Sequence, residues 1–207
     1  IIGGLKRKGH GLSSLDHADV AIVNTCSFIE DAKKESIDVI LSLIELKKQG
    51  NLKKVIVAGC LAQRYGSELV KEFREVDAFV GVQTLDRGKV QADPSLTPPH
   101  YAYLKICESC FNQCSFCVIP KLKGRFLSRD IGAVLKDVRR LDERGVKEMN
   151  IIGQDITAYG RDLGKGNSLA SLLRKIVREV RSVEWIRLLY AYPAHITDEL
   201  LDVMAGE

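Results

Sequence analysis

The fold of this chain is decided by Tyr101-Ala-Tyr-Leu-Lys-Ile106 and by the run that follows it, Cys107-Glu-Ser-Cys110-Phe-Asn-Gln-Cys114-Ser-Phe-Cys117. The first stretch has the length of a strand, and the loop after it holds four of the six cysteines of the chain. Cys110, Cys114 and Cys117 follow the spacing CxxxCxxC, and thiolates at that spacing can hold three irons of a 4Fe-4S cluster. The fourth iron then stays open to a ligand, where a bound cofactor is reduced.

Zinc, a ferredoxin cluster and disulfides are the alternatives for this loop. A zinc site would combine Cys107 and Cys110 with Cys114 and Cys117, but only three residues separate these pairs, and zinc modules usually place about a dozen or more between them. A bacterial ferredoxin has the run CxxCxxCxxxCP, whereas the spacings here are two, three and two residues. Disulfides are typical of small extracellular chains, and these thiols are grouped like ligands. The spacing favours a radical-type iron-sulfur cluster and leaves zinc open.

Composition predicts an ordinary soluble protein of two domains. Hydrophobic residues make up 45% of the chain and charged residues 28%, and no stretch approaches the ~18 uncharged apolar residues that a transmembrane helix requires. The net charge of +4 neither requires nor excludes a nucleic-acid partner. The 207 residues fit two domains of roughly 100 residues each. We therefore expect a cytoplasmic protein without a membrane partner.

The first half of the sequence repeats a strand-helix plan. Such repetition predicts parallel β-α-β units, with functional loops at the carboxyl ends of the strands. Ser27 and Glu30 have the spacing of a capping box, which predicts a helix that starts at Ser27. The predicted elements are strands at 19–25, 54–58 and 78–82 and helices at 27–49 and 62–73.

Cys26 and Cys60 occupy matching positions, each immediately after a predicted strand. Neighbouring strands lie ~5 Å apart in a sheet, so the two thiols can point into one crevice and share a metal. The alternative is a pair of small buried residues that pack at the strand ends. The residues alone leave both interpretations open.

A proline-rich linker at residues 92–100 separates the predicted domains, which are residues 1–91 and 101–207. The second domain has predicted strands at 101–106, 148–152 and 185–190 and helices at 131–144, 169–181 and 196–204. A strand-helix repeat with the cysteine loop after its first strand predicts the opening half of a (β/α) barrel, whose reactive face lies at the carboxyl ends of the strands. Because a half barrel has an exposed edge, we expect a fragment cut at both ends.

The cysteine loop resembles that of the radical S-adenosylmethionine (SAM) enzymes, with the aromatic Phe116 just before the last cysteine. Three further stretches, which with the loop span nearly the whole chain, resemble the methylthiotransferases. They are Ala21-Ile-Val-Asn-Thr-Cys-Ser-Phe-Ile-Glu-Asp-Ala32, Val57-Ala-Gly-Cys-Leu-Ala-Gln-Arg-Tyr65 and Gly153-Gln-Asp-Ile-Thr-Ala-Tyr-Gly160. The resemblance implies an α/β fold, with an N-terminal methylthiotransferase domain of parallel β-α-β units and then the first half of a radical SAM (β/α) partial barrel. We expect the family's extreme N-terminus, second barrel half and TRAM domain to lie outside this sequence.

The cofactors that the resemblance implies are two 4Fe-4S clusters and S-adenosyl-L-methionine. One cluster would lie on Cys110, Cys114 and Cys117, and its open iron would bind S-adenosylmethionine, which one electron cleaves to methionine and a 5'-deoxyadenosyl radical. The second cluster would lie on Cys26, Cys60 and a cysteine upstream of this sequence, and would supply the sulfur. The implied partners are a macromolecular substrate and a one-electron donor such as a flavodoxin-like protein.

Two branches of the family differ in substrate. The MiaB type modifies an isopentenylated adenosine of tRNA, and the RimO type adds a methylthio group to the β-carbon of an aspartate in the twelfth small-subunit ribosomal protein. Features that resemble the RimO type are Pro-Pro-His-Tyr-Ala-Tyr-Leu-Lys at 98–105, Asp155 where tRNA enzymes tend to carry Asn, and Tyr-Ala-Tyr-Pro at 190–193 followed by Ile196 and Thr197. We expect the RimO type, with the tRNA enzyme and a non-enzymatic iron-sulfur or zinc module as alternatives.

Residues other than the ligand cysteines are assigned by their position. Phe116 is a candidate for contact with the cofactor, with plain packing as the alternative. Gln154 and Asp155 follow a barrel strand, so Gln154 is a candidate for cofactor binding and Asp155 for catalysis; a satisfied polar loop is the alternative. Cys107 is expected to pack, and the four histidines, which lack ligand spacing, to be structural or surface residues. A basic patch is predicted on Lys121, Lys123, Arg125 and Arg129, facing solvent or phosphate.

Overall fold

The structure is a computed structural model that describes residues 1–82 and 97–206. The chain divides into two compact units, Ile1–Gln83 and Thr84–Glu207. The predicted boundary at residue 91 and the first part of the linker lie outside the described residues. No helix in the described part of the chain is both long enough and apolar enough to span a membrane.

The first unit is a parallel sheet with helices, as its strand-helix plan predicts. Its elements are α1 (Ile2–Arg7), a 3-10 helix (Leu15–His17), β1 (Val20–Thr25), α2 (Glu30–Lys48), β2 (Lys54–Gly59), α3 (Cys60–Glu72) and β3 (Ala78–Val80). The strand order is β1-β2-β3, and all pairs are parallel. The core between the sheet and the helices includes Ile40 and Val55, both fully buried. Burial of each such side chain contributes about 1.5–3 kcal/mol.

The second unit holds a parallel sheet and a short hairpin. Its elements are β4 (Tyr101–Lys105), β5 (Cys107–Glu108), α4 (Ile119–Lys123), β6 (Leu127–Ser128), α5 (Ile131–Glu143), β7 (Glu148–Ile152), α6 (Leu169–Glu179), β8 (Trp185–Leu188) and α7 (Asp198–Gly206), with 3-10 helices at Ile156–Ala158 and Pro193–His195. The sheet order is β4-β7-β8, all parallel, and β5 pairs antiparallel with β6. The loops that follow β4, β7 and β8 therefore leave the same edge of one sheet.

The predicted capping box at Ser27 is wrong. Helix α2 starts at Glu30, its N-cap is Ile29, and no side chain caps it. Ser27 belongs instead to the turn after β1, where its carbonyl accepts a hydrogen bond from Arg64 at 3.1 Å. The three residues after Thr25 are needed to turn the chain away from the sheet, so the first helical turn comes later than the S-x-x-E pattern predicts.

Candidate functional site

The cysteine loop of the second unit is closed at its base by polar contacts. The Ser109 hydroxyl donates to the Gly124 carbonyl at 2.6 Å, and Lys123 forms a 2.8 Å ion pair with Glu108 on β5. Glu108 also pairs with Lys105 at the end of β4. Burial alone would raise the pKa of the Glu108 carboxyl, but the two lysines outweigh burial and lower it. These contacts hold the two ends of the loop together, with Cys110, Cys114 and Cys117 between them.

Burial separates the cysteines of this loop into two kinds. Cys110, Cys114 and Cys117 are partly exposed, whereas Cys107 is fully buried in the hydrophobic core of the unit. Burial raises the pKa of the Cys107 thiol to about 12, and the nearby Asp155 carboxylate adds to the effect. Its sulfur lies 3.6 Å from the Asp155 carbonyl, which the S–H group faces. The expectation that Cys107 packs is confirmed by its place in the hydrophobic core.

The donor set of the loop fits an iron-sulfur cluster that is held by three thiolates. None of the six cysteines, all of which are described, is half of a disulfide. In the part of the chain that the structure describes, no three His, Cys, Asp or Glu side chains are gathered closely enough to hold a metal ion. The loop carries three partly exposed thiols, and the contacts of Ser109 and Glu108 hold its two ends together. The assignment of Cys110, Cys114 and Cys117 as ligands stays a prediction.

Cys26 and Cys60 of the first unit follow directly after two paired strands. Thr25 and Gly59, the last residues of β1 and β2, are opposite each other in the parallel ladder, so the cysteines emerge side by side. Both are partly exposed. Gly59 has a φ of +103°, and a Cβ there would lie 2.7 Å from the Thr25 carbonyl, so glycine is needed where the strands end this closely. The matching positions fit a shared metal, which remains a prediction because two thiols do not make a full ligand set.

Asp155 lies directly after β7 and is nearly inaccessible, with 2% of its surface exposed. One carboxylate oxygen accepts hydrogen bonds from the backbone N–H, at 3.1 Å, and the hydroxyl of Thr157. The other accepts from the Asn112 side chain at 3.0 Å and lies 3.0 Å from Nδ1 of His195. His195 is thus structural, as expected. The predicted role of Asp155 in catalysis stays a prediction, and its oxygens are fully engaged within the protein.

Gln154 and Phe116 each have a feature expected of a ligand-contacting residue, an unpaired acceptor in the first and an exposed ring in the second. Oε1 of Gln154 is buried and has no hydrogen-bond partner among the described residues. An orphaned buried acceptor costs free energy of about 1–3 kcal/mol unless a ligand satisfies it. Phe116 is 88% exposed, so in this structure it is not a core-packing residue. Cofactor contact by either residue stays a prediction that these observations favour.

The predicted basic patch is wrong for two of its four residues. Arg129 is fully buried and forms a 2.7 Å ion pair with Asp137 of α5, and Lys123 is held by Glu108. Sequence reasoning took Arg129 as exposed because it follows three basic residues at short intervals. It also missed Asn112, which lies between two of the cysteines and binds Asp155.

The folds of the two units and the positions of their cysteines define a class of protein. It is an α/β protein with two parallel sheets, in which accessible thiols follow β1, β2 and the β4-β5 segment. Residues 1–81 match a family model described as "Uncharacterized protein family UPF0004".

Relatives with a known function match nearly all of the chain. It is 45% identical, over 99% of its length, to the "Ribosomal protein uS12 methylthiotransferase RimO" of Solibacter usitatus (strain Ellin6076), and the match covers 49% of that protein. Proteins of the same name from Clostridioides difficile (strain 630) and Pelobacter propionicus (strain DSM 2379 / NBRC 103807 / OttBd1) are 44% and 42% identical, over 99% and 100% of this chain and 51% and 52% of theirs. Nearly the whole chain is therefore similar to part of the proteins named RimO methylthiotransferase. It spans about half the length of the relatives it matches.

Proposed function

We propose that this chain is the part of a RimO-type methylthiotransferase that binds the iron-sulfur clusters and S-adenosylmethionine. The observation that carries the proposal is the contrast within one loop: Cys107 is buried in the hydrophobic core, whereas Cys110, Cys114 and Cys117 are partly exposed. The three thiols that follow the CxxxCxxC spacing are thus the ones that lie outside the hydrophobic core. The similarity to RimO proteins over the whole chain supports the same function.

The residues of this chain have separate roles in the proposed reaction. Cys110, Cys114 and Cys117 would hold a 4Fe-4S cluster, and Cys26 and Cys60 would provide two ligands of a second one. When bound, these groups and S-adenosylmethionine supply a 5'-deoxyadenosyl radical and the sulfur of a methylthio group. The protein itself fixes the base of the loop through Glu108 and Ser109, as described above.

Gln154 and Phe116 would form the protein's contacts with the cofactor. The unpaired Oε1 of Gln154 is an acceptor, so it suits the amino group or a ribose hydroxyl of S-adenosylmethionine. The exposed ring of Phe116 offers an apolar face beside Cys117. The alternative that both residues only complete the loop is tested by the affinity for S-adenosylmethionine of Gln154→Leu, which removes the acceptor, and of Phe116→Ala.

The substrate of the proposed enzyme is an aspartate of the twelfth small-subunit ribosomal protein, which would be methylthiolated at its β-carbon. The names of the relatives support this choice over tRNA. A one-electron donor, such as a flavodoxin-like protein, would be a second partner. A cytoplasmic location fits both partners.

Anaerobic reconstitution with iron and sulfide tests the ligand assignment. Replacement of Cys110, Cys114 or Cys117 by Ala should each abolish the cluster in this loop and the reductive cleavage of S-adenosylmethionine. Cys107→Ala is the matched control, since it removes a thiol from the same loop, and it should keep both. If Cys107→Ala loses the cluster while Cys114→Ala keeps it, the assignment is wrong.

The substrate is tested with the complete enzyme of which this chain is a part. Mass spectrometry after incubation should show a methylthio adduct, a gain of one CH₂S unit, on the ribosomal-protein aspartate. Isopentenylated tRNA should remain unchanged in a parallel incubation. An adduct on the tRNA alone would move the assignment to the MiaB type.

A further inference from the structure

A single buried carboxylate joins three loops of the second unit. Asp155, at the carboxyl end of β7, accepts hydrogen bonds from Thr157 in its own loop and from Asn112 in the cysteine loop. His195, in the 3-10 helix after β8, lies 3.0 Å from the same oxygen that Asn112 contacts. A carboxylate accepts hydrogen bonds and donates none, so Nδ1 of His195 is the donor in this pair. The loops that follow all three strands of the sheet are thus tied to one side chain.

The hydrogen bonds of Asp155 are connected through Asn112 to Cys110, a predicted cluster ligand. Asn112 lies between Cys110 and Cys114, and its backbone N–H donates to the Cys110 sulfur at 3.4 Å. The side chain of the same Asn112 holds Asp155 at 3.0 Å. The hydrogen bond to Asp155 restrains the side chain of Asn112, and with it the residue whose backbone N–H lies over the Cys110 sulfur.

Additional contacts hold the carboxylate in place from the other side. The Ile156 N–H donates to the Tyr190 carbonyl at 3.2 Å, which ties the loop after β7 to the loop after β8. His195 has its ring 4.9 Å from that of Tyr192, and it is mostly buried. Asp155 and His195 are thus held by the loops after β7 and β8, and the cysteine loop is the part that they position.

We infer that Asp155 is a positioning residue that, through Asn112, sets the N–H hydrogen bond to the Cys110 sulfur. The inference rests on the proposed function, since its consequence concerns the cluster on that sulfur. Hydrogen bonds to cluster sulfurs stabilise the reduced, more negative state and so raise the reduction potential. Asp155 and Asn112 would therefore tune the potential and the retention of the cluster without touching it.

Asp155→Asn tests the hydrogen bond between Asp155 and Asn112, because it keeps the shape of the side chain and changes one acceptor oxygen into an NH₂ donor. With Oδ1 still on Thr157, the new NH₂ group faces the NH₂ group of Asn112, so the hydrogen bond re-forms only if the Asn112 amide turns over. Asn112→Ala breaks the same tie from the other end. The exchange variant Asn112→Asp with Asp155→Asn restores a donor and an acceptor at this pair.

The experiment measures the midpoint potential of the reconstituted cluster and its loss of iron to a chelator. Asp155→Asn and Asn112→Ala should shift the potential in the negative direction and weaken iron retention about 10-fold or more. The double variant Asn112→Ala with Asp155→Asn should shift it no further than either single one, and the exchange variant should return it toward the starting value. Asp142→Asn, a carboxylate that caps backbone N–H groups elsewhere in the unit, is the control and should leave both readouts unchanged.

Hydrogen exchange of residues 110–117 in the chain without iron is the second readout. Exchange should be faster in Asp155→Asn and in Asn112→Ala but not in Asp142→Asn. Potentials, iron retention and exchange that match the unsubstituted protein in both Asp155→Asn and Asn112→Ala would overturn the inference. Lost turnover in Asp155→Asn in that case would place Asp155 on the substrate. A chain that exchanges as expected but takes up no cluster would refute the proposed function and leave the positioning role standing.

Discussion

Replacement of Arg129 by Met should destabilise the second unit more than any surface change near it. The Arg129 guanidinium is buried at 2.7 Å from the Asp137 carboxylate and donates to the Lys105 carbonyl at 2.8 Å. Met keeps the length of the side chain but leaves Asp137 as a buried charge without its closest cation. Such a change costs about 3–5 kcal/mol. Most of this cost comes from the unpaired, buried Asp137 carboxylate and not from the net stabilisation that the ion pair provides.

Urea unfolding followed by tryptophan fluorescence measures this cost. The chain has one tryptophan, Trp185, and it lies on β8 in the same unit as Arg129. For a denaturant slope of about 2 kcal/mol/M, a loss of about 4 kcal/mol lowers the midpoint by about 2 M. Arg139→Gln, which breaks an exposed ion pair with Glu179, is the control and should cost less than about 1 kcal/mol.

The double variant separates the two explanations for the cost. Arg129→Met with Asp137→Leu removes both charges, and it should recover most of the lost stability, since apolar pairs of similar volume often replace buried ion pairs without loss. If Arg129→Met costs no more than Arg139→Gln, the carboxylate is solvated in solution and the reasoning fails.

Other consequences follow from single contacts in the same unit. Gly153→Ala would place a Cβ 2.4 Å from the Cys107 sulfur and should lower the free energy of unfolding in urea by about 1–3 kcal/mol. Adding Cys107→Ala should recover most of this loss, and a double variant whose effects are fully additive would contradict the contact. Tyr159→Phe removes the hydroxyl that donates to the Arg129 carbonyl at 2.8 Å and should cost about 1–2 kcal/mol; an unchanged midpoint would refute the bond. Burial would raise the pKa of the Asp142 carboxyl, but the backbone hydrogen bonds that it accepts outweigh burial and lower the pKa. The Asp142 carboxylate therefore stabilises the folded protein above the unfolded pKa of 3.8, and this contribution is lost as pH falls through the folded pKa. Asp142→Asn should therefore lower the midpoint at neutral pH, with a difference that shrinks below pH 3.8; a pH-independent difference would argue against it.

The sequence predicts the strands and helices well because each carries an apolar pattern of its own. The strand expected at 148–152 is the observed β7, and the helix expected at 131–144 is α5, one residue shorter. The hairpin of β5 and β6 was not predicted, since two-residue strands are too short to show a pattern. The start of α2 was misplaced because a capping box is a local pattern, whereas the turn after β1 is set by the sheet.

The site is less predictable than the fold because its contacts join distant residues. Asn112, Asp155 and His195 are separated by 43 and 40 positions, and nothing in a single sequence pairs them. Arg129 follows basic residues, a pattern typical of a solvated surface, and only the fold brings it to Asp137. The cysteine spacing, in contrast, is local, so the candidate ligands could be predicted from the sequence.

Burial of Cys107 argues against a zinc site on all four cysteines of the loop. A zinc site on all four cysteines needs four thiolates, and one of them would be a thiol whose pKa is raised to about 12. Its sulfur would also have to leave the core, where it packs against Gly153. The other three thiols bear no such penalty, because they are partly exposed. If Cys110, Cys114 and Cys117 are the ligands, as predicted, burial of Cys107 is what would leave the fourth iron open to a cofactor.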